Sequence, residues 1–192
     1  MRSTYFVVFI FSTVTCVLAQ IPGFGKCPAP PVKQNFDVDQ YVGVWYEYQR
    51  YFAVFEFGLK CGRAEYTLKD DGHILVNNTG TKKWSGKSTE AIGDAFAPDP
   101  DEPAKIIVNF GGAPSTGKPN YWVLDTDYNT FSVVYSCADF GGFLHADILW
   151  LLSRDKAGLP DDLTNQLRSR LEQQGLRTKY LMNIKQDGCT NY

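Results

Sequence analysis

The chain is poor in groups that make or break bonds. It holds two histidines, His73 and His145. His73 precedes the run Ile74-Leu75-Val76 and reads as an exposed strand residue. His145 falls on the face opposite Trp150 and reads as exterior. There is no G-x-S-x-G elbow, no H-E-x-x-H zinc helix and no phosphate-cradling glycine loop. There is no C-x-x-C pair, and both histidines lie far from any cysteine in sequence, so no metal site is expected. The adjacent acids Asp161-Asp162 read as the negative start of a helix rather than as a catalytic pair. That leaves the cysteines, whose chemistry depends on where the chain resides.

Residues 1–19 read as a secretory signal. Arg2 is the basic start, Tyr5 to Leu18 is a mostly apolar stretch, and Val17-Leu18-Ala19 suits cleavage after Ala19. The stretch is shorter than the roughly 20 residues a spanning helix needs. Cys16 leaves with it. Cys27, Cys61, Cys137 and Cys189 remain, and an even number in an oxidising compartment implies two disulfides. Spacing leaves all three pairings open. A thiol nucleophile is not expected from paired cysteines. Asn77-Asn78-Thr79 is a glycosylation sequon at Asn77, placed beyond a strand-like run where a loop is expected.

If the chain does little covalent chemistry, its business is binding, and the elements must say where. In 192 residues, 19 Lys+Arg face 21 Asp+Glu for a net charge of −2, which offers nothing to nucleic acid. Seventeen Gly, 11 Tyr and 13 Phe point to strands and turns. Residues 20–192 read as one domain. Pro22 to Val32 reads as irregular coil, and Asn35 to Tyr41 as a short helical turn. Strand-like runs follow: Val44 to Phe55, Ala64 to Leu68, His73 to Asn77, a weaker Lys82 to Trp84, Ser88 to Phe96, Lys105 to Phe110, Tyr121 to Asp125, Phe131 to Cys137 and Phe143 to Ser153. Short connections between so many strands predict an all-β antiparallel sandwich or barrel. One helix stands apart. It starts at Leu159-Pro160-Asp161-Asp162, carries Leu163, Leu167 and Leu171 on one face, and stops at Gly175. A single narrow leucine stripe places it outside the sheet. Tyr180 to Ile184 reads as a further strand.

Alternation assigns faces. Ala64, Tyr66 and Leu68 share one, Ile106, Val108 and Phe110 another, and Tyr121 goes with Val123. Taking Trp150 as inward makes Ala146, Ile148, Leu152 and Arg154 inward too. Tyrosines on an inward set fit a solid core and equally a pocket that is apolar with a few polar groups.

Three blocks occur in order: Gly43-Val44-Trp45, Thr126-Asp127-Tyr128, and Arg154 at the end of the last strand before the helix. Together they resemble the signature of the lipocalin family. Gly25-Lys26-Cys27-Pro28, Asn35-Phe36-Asp37-Val38 and Val134-Tyr135-Ser136-Cys137 are similar to its apolipoprotein D-like branch. The resemblance spans Gly25 to Cys189. It implies an eight-stranded up-and-down antiparallel barrel with one C-terminal helix packed outside, in which Arg154 covers the Trp45 indole. It implies the pairings Cys27–Cys137 and Cys61–Cys189. It implies a secreted carrier of a small hydrophobic ligand (fatty acid, steroid or similar lipid) rather than an enzyme, with no cofactor. Its ligand would be lined by Tyr66, Phe110, Tyr121 and Trp150, with Tyr41 and Tyr135 as further candidates. The alternatives are a bilin or carotenoid pigment binder, and an interaction protein with a filled barrel. A lipoprotein particle, a receptor or a sister subunit would be the macromolecular contact of a monomer or weak homo-oligomer. No hydrophobic loop cluster for a lipoprotein surface stands out in the sequence.

Overall fold

The computed structural model of the chain describes residues 21–111 and 117–189, so the signal-peptide expectation lies outside the described residues. Eight antiparallel strands form the barrel: β2 (Gly43–Arg50), β3 (Leu59–Leu68), β4 (Ile74–Lys82), β5 (Ser88–Phe96), β6 (Lys105–Phe110), β7 (Tyr121–Thr126), β8 (Phe131–Phe140) and β9 (Leu144–Ser153). Each pairs with the next. β9 returns to β2, with Tyr46 opposite Ser153 and Arg50 opposite Trp150. Closure leaves no barrel strand with a bare edge. Two short strands add to the outside: β1 (Ile21–Phe24) on β9 and β10 (Met182–Asn183) on β2.

The short helix α1 (Val38–Tyr41) is capped by Asp37, whose Oδ1 accepts from the backbone N–H groups of Asp39 and Gln40. It closes one end of the barrel. The β2–β3, β4–β5, β6–β7 and β8–β9 connections all lie at the other end, the mouth. Helix α2 (Asp161–Gln173) lies across the outer wall. Its Leu167 and Leu171 are buried, Leu163 packs beside them, and Gly175 ends it at φ +83°. Burying each leucine contributes about 1.5–3 kcal/mol. Apolar packing therefore forms two layers. One fills the lower barrel around Trp45, Tyr66, Ile106 and Val134; the other lies between the wall and α2.

Several boundaries differ from the sequence reading. Residues 21–24 are a strand, not coil; pairing with distant β9 supplies hydrogen bonds that local pattern does not reveal. The run from Val44 stops at Arg50, and Val54–Glu56 is a 3-10 turn. His73 to Asn77 and Lys82 to Trp84 are not two strands: β4 runs unbroken from Ile74 to Lys82. Asn77 is thus mid-strand rather than in a loop, on the outer face, with its amide donating to Glu90. The strand expected over Tyr180 to Ile184 is a 3-10 turn at Thr178–Tyr180 followed by the two residues of β10. His145 does face outward, but β1 covers it, and its Nδ1 lies 3.1 Å from the Gly25 carbonyl.

Candidate functional site

The closed end is a structural plug. The Trp45 indole is fully buried and donates to the Tyr41 carbonyl at 2.9 Å. The Arg154 guanidinium lies 3.7 Å from the indole ring centre and donates to the carbonyls of Val44 (2.8 Å), Tyr128 (2.9 Å) and Val42 (2.9 Å). Gly43 sits at φ +93°, and a Cβ there would come 3.3 Å from Arg154 Nη1. The Thr126-Asp127-Tyr128 turn holds the facing side. Asp127 Oδ1 accepts from the backbone N–H groups of Asn129, Thr130 and Phe131, which keeps its carboxyl below the usual range despite some burial. The Tyr128 hydroxyl accepts from the backbone N–H of Asp37, tying the turn to α1.

Above the plug is a floor of phenols. Tyr41 bonds Ser132 at 2.9 Å and Tyr121 at 2.9 Å, and Tyr121 bonds Tyr66 at 3.0 Å. Burial pushes the Tyr41 hydroxyl up to about 12 and raises Tyr66 and Tyr121 well above the ordinary phenol value, so all three keep their protons. Four hydroxyls share three links, so one of the four has a proton to donate outside the chain.

The upper barrel is not filled. The register Trp45–Ala64–Asn78–Ala91 puts all four on the inward face, yet Ala91 is exposed. Phe110, Tyr121 and Trp150, also inward, are half-buried. Solvent therefore reaches an apolar space from the mouth. Gly93 makes room for one wall, since a Cβ there would meet the Phe110 ring at 2.9 Å. Asn78 brings a polar atom to this face, its Oδ1 buried without a hydrogen bond.

At the mouth sits a charged group that the sequence reading missed. A bulge in β2 between Glu47 and Gln49 breaks the alternation. Glu47 stays inward opposite Leu152, and Arg50 turns inward opposite Trp150. Gly62 leaves space for Glu47; a Cβ there would overlap its carboxyl. Arg50 Nε lies 3.3 Å from Glu47 and 3.0 Å from Glu56, which descends from the β2–β3 loop. Its other nitrogens donate to the carbonyls of Tyr51 and Glu56 at 3.0 Å each. Burial, then repulsion from Glu47, pushes the Glu56 carboxyl up to about 9. Glu56 thus carries a proton at neutral pH.

Of the sequence candidates, the structure brings Tyr66, Tyr121 and Tyr41 together at the floor and Phe110 and Trp150 on the walls above. Tyr135 is elsewhere. It lies on the outer face of β8 beneath α2, its ring 6.1 Å from Trp122. Alternation puts Tyr135 out of step with Val134, whose partner is inward Trp150. A hydrophobic cluster, absent from the sequence reading, does occur on the rim. Phe52, Phe55, Phe57 and Trp84 are exposed; Trp84 lies flat on Gly58, 6.2 Å from the Phe57 ring. The two disulfides are Cys27–Cys137 and Cys61–Cys189.

Comparison with known proteins agrees with this geometry. A model of the lipocalin-like domain matches residues 36–186. Apolipoprotein D of Mus musculus is 37% identical over 170 residues, covering 88% of this chain and 86% of its own. Apolipoprotein D of Rattus norvegicus is 39% identical over 140 residues, covering 73% and 72%. Among solved structures, insecticyanin from the tobacco hornworm Manduca sexta superposes with a TM-score of 0.74 at 24% identity, over 86% of this chain and 89% of that one.

Proposed function

The chain belongs to the lipocalin family, and on that premise we propose that it is a secreted carrier that holds a small hydrophobic molecule in the upper barrel. The observation that supports this most is the exposure of Ala91 on an inward face above a closed floor. Such a space is open to solvent at one end and lined by Phe110, Trp150 and Val108. The mechanism is burial: an apolar ligand gains about 25 cal/mol for each Å² removed from water. The phenols of Tyr66, Tyr121 and Tyr41 form the floor on which it rests. Catalysis is not part of this reading, because all four cysteines among the described residues are in disulfides and supply no thiol.

Secretion rests on the leader at residues 1–19 and on two disulfides that suit an oxidising compartment. Asn77 presents its amide on the outer face, where a glycan would meet no barrel contents. The exposed aromatic rim supports contact with a lipid surface more than with a receptor.

Native mass spectrometry of protein secreted by cultured animal cells tests the proposal. The expected result is a mature chain beginning at Gln20 with an apolar molecule of low mass bound. Visible absorption by that molecule would turn the reading to a pigment carrier. An empty barrel that also takes up no lipid from serum would overturn the carrier reading.

A further inference from the structure

Resting on the carrier reading, we infer that the mouth sorts ligands by head-group charge: it admits uncharged molecules with a hydroxyl or carbonyl and turns away carboxylates. Glu47 and the protonated Glu56 reach the interior beside Arg50, so the one positive charge there is already matched by Glu47. Arg50 is only 4% exposed. It is a natural clamp for a carboxylate, but its fork is already engaged: Nε by the two acids, and the terminal nitrogens by the carbonyls of Tyr51 and Glu56. An incoming carboxylate would have to displace Glu47 or Glu56 in a partly desolvated space. Otherwise it would lie unpaired next to them. Lys82, Lys83 and Lys87 of the β4–β5 hairpin are exposed, where their charge is screened, and Lys60 at the start of β3 donates to the Asp187 carbonyl.

Neutral polar partners are available instead. The Asn78 Oδ1 is an inward acceptor with no hydrogen bond. The phenol chain Tyr66–Tyr121–Tyr41–Ser132 has one proton more than it has links. Leaving such groups unmet is what costs a ligand that cannot hydrogen-bond them. A long apolar molecule with one hydroxyl or carbonyl meets both conditions. Its apolar body fills the space under Trp150, and its polar group faces Asn78 or the phenols. A fatty-acid anion could accept the spare phenol proton, but it cannot donate to the Asn78 Oδ1 and must bring its charge past Glu47.

Quenching of intrinsic tryptophan fluorescence by retinol and by retinoic acid provides a matched pair of probes. On the intact, oxidised protein at neutral pH, retinol should bind about tenfold more tightly than retinoic acid. Glu47→Gln removes one negative charge and frees Arg50. It should tighten retinoic acid about tenfold and leave retinol within about twofold. Glu56→Gln, which keeps a neutral hydrogen-bonding side chain, gives a second variant should Glu47→Gln not fold. It should leave the retinol preference in place. Equal binding of the two retinoids by the native protein, or an unchanged ratio in Glu47→Gln, overturns this inference alone. Saturable binding of neither retinoid overturns it together with the carrier reading.

Discussion

Replacing Arg154 should loosen the closed end in a graded way. Its guanidinium makes three hydrogen bonds of 2.8–2.9 Å to the carbonyls of Val44, Tyr128 and Val42, and covers Trp45 at 3.7 Å. These carbonyls belong to β2, to the turn after β7 and to the end of α1, so one side chain ties three elements. Each bond contributes about 1 kcal/mol net, and the partly desolvated cation–π contact about 1–2 kcal/mol. Arg154→Ala should therefore cost about 4 kcal/mol, a large part of the roughly 5–15 kcal/mol expected for a domain. Arg154→Lys keeps the charge over the indole but cannot fan to three acceptors, so it should cost about half as much. Urea unfolding of the oxidised protein, followed by near-ultraviolet circular dichroism, measures both. Because the plug lies below the phenol floor, ligand affinity of the folded variants should stay within about twofold. Equal losses for Ala and Lys, or a loss below about 1 kcal/mol for Ala, would refute the division of labour assigned to this residue.

The Glu56 carboxyl, at about 9 when folded against an ordinary 4.5, binds its proton more tightly in the native state than in the unfolded chain. Stability should thus be full below about pH 4.5 and fall as pH rises toward about 9, by at most about 1.4 kcal/mol per unit. Urea midpoints across that range check the slope, and Glu56→Gln should flatten it. Gly93→Val forces a side chain into the Phe110 ring and should destabilise by about 1–3 kcal/mol, read from the same unfolding curves. Paired Cys61→Ser and Cys189→Ser changes open a link spanning 128 residues and should cost about 2–5 kcal/mol, measured as a lowered melting temperature.

Much of the barrel was legible because local pattern and long-range structure agree. β5 and β6 have the bounds that the alternation gave, and α2 begins and ends where Pro160 and Gly175 set it. The plug was legible through the family resemblance carried by Trp45, Tyr128 and Arg154, which implied that Arg154 covers the indole. What was hidden depends on register. β1 contains Pro22 and Gly23 and exists only because β9 offers it partners. Tyr135 needs the β8–β9 pairing before its face is known. Glu47 shares the face of Trp45 by alternation and is accommodated by the small Gly62, whereas Arg50 is turned inward only by the β2 bulge, which no local pattern reveals. The rim aromatics are separated by some 30 residues, Phe52 to Trp84, and meet because the two loops share the mouth.

The central claim is an open apolar space in the upper barrel. The most direct test is a titration of the delipidated, oxidised protein with arachidonic acid, progesterone, retinol, biliverdin and a carotenoid, read by tryptophan quenching. The native protein should show saturable quenching at low micromolar concentration by at least one neutral probe. Trp150→Ala should weaken that binding while near-ultraviolet circular dichroism shows the barrel intact. No quenching by any probe, or full affinity in Trp150→Ala, would contradict the placement of a ligand beside Trp150.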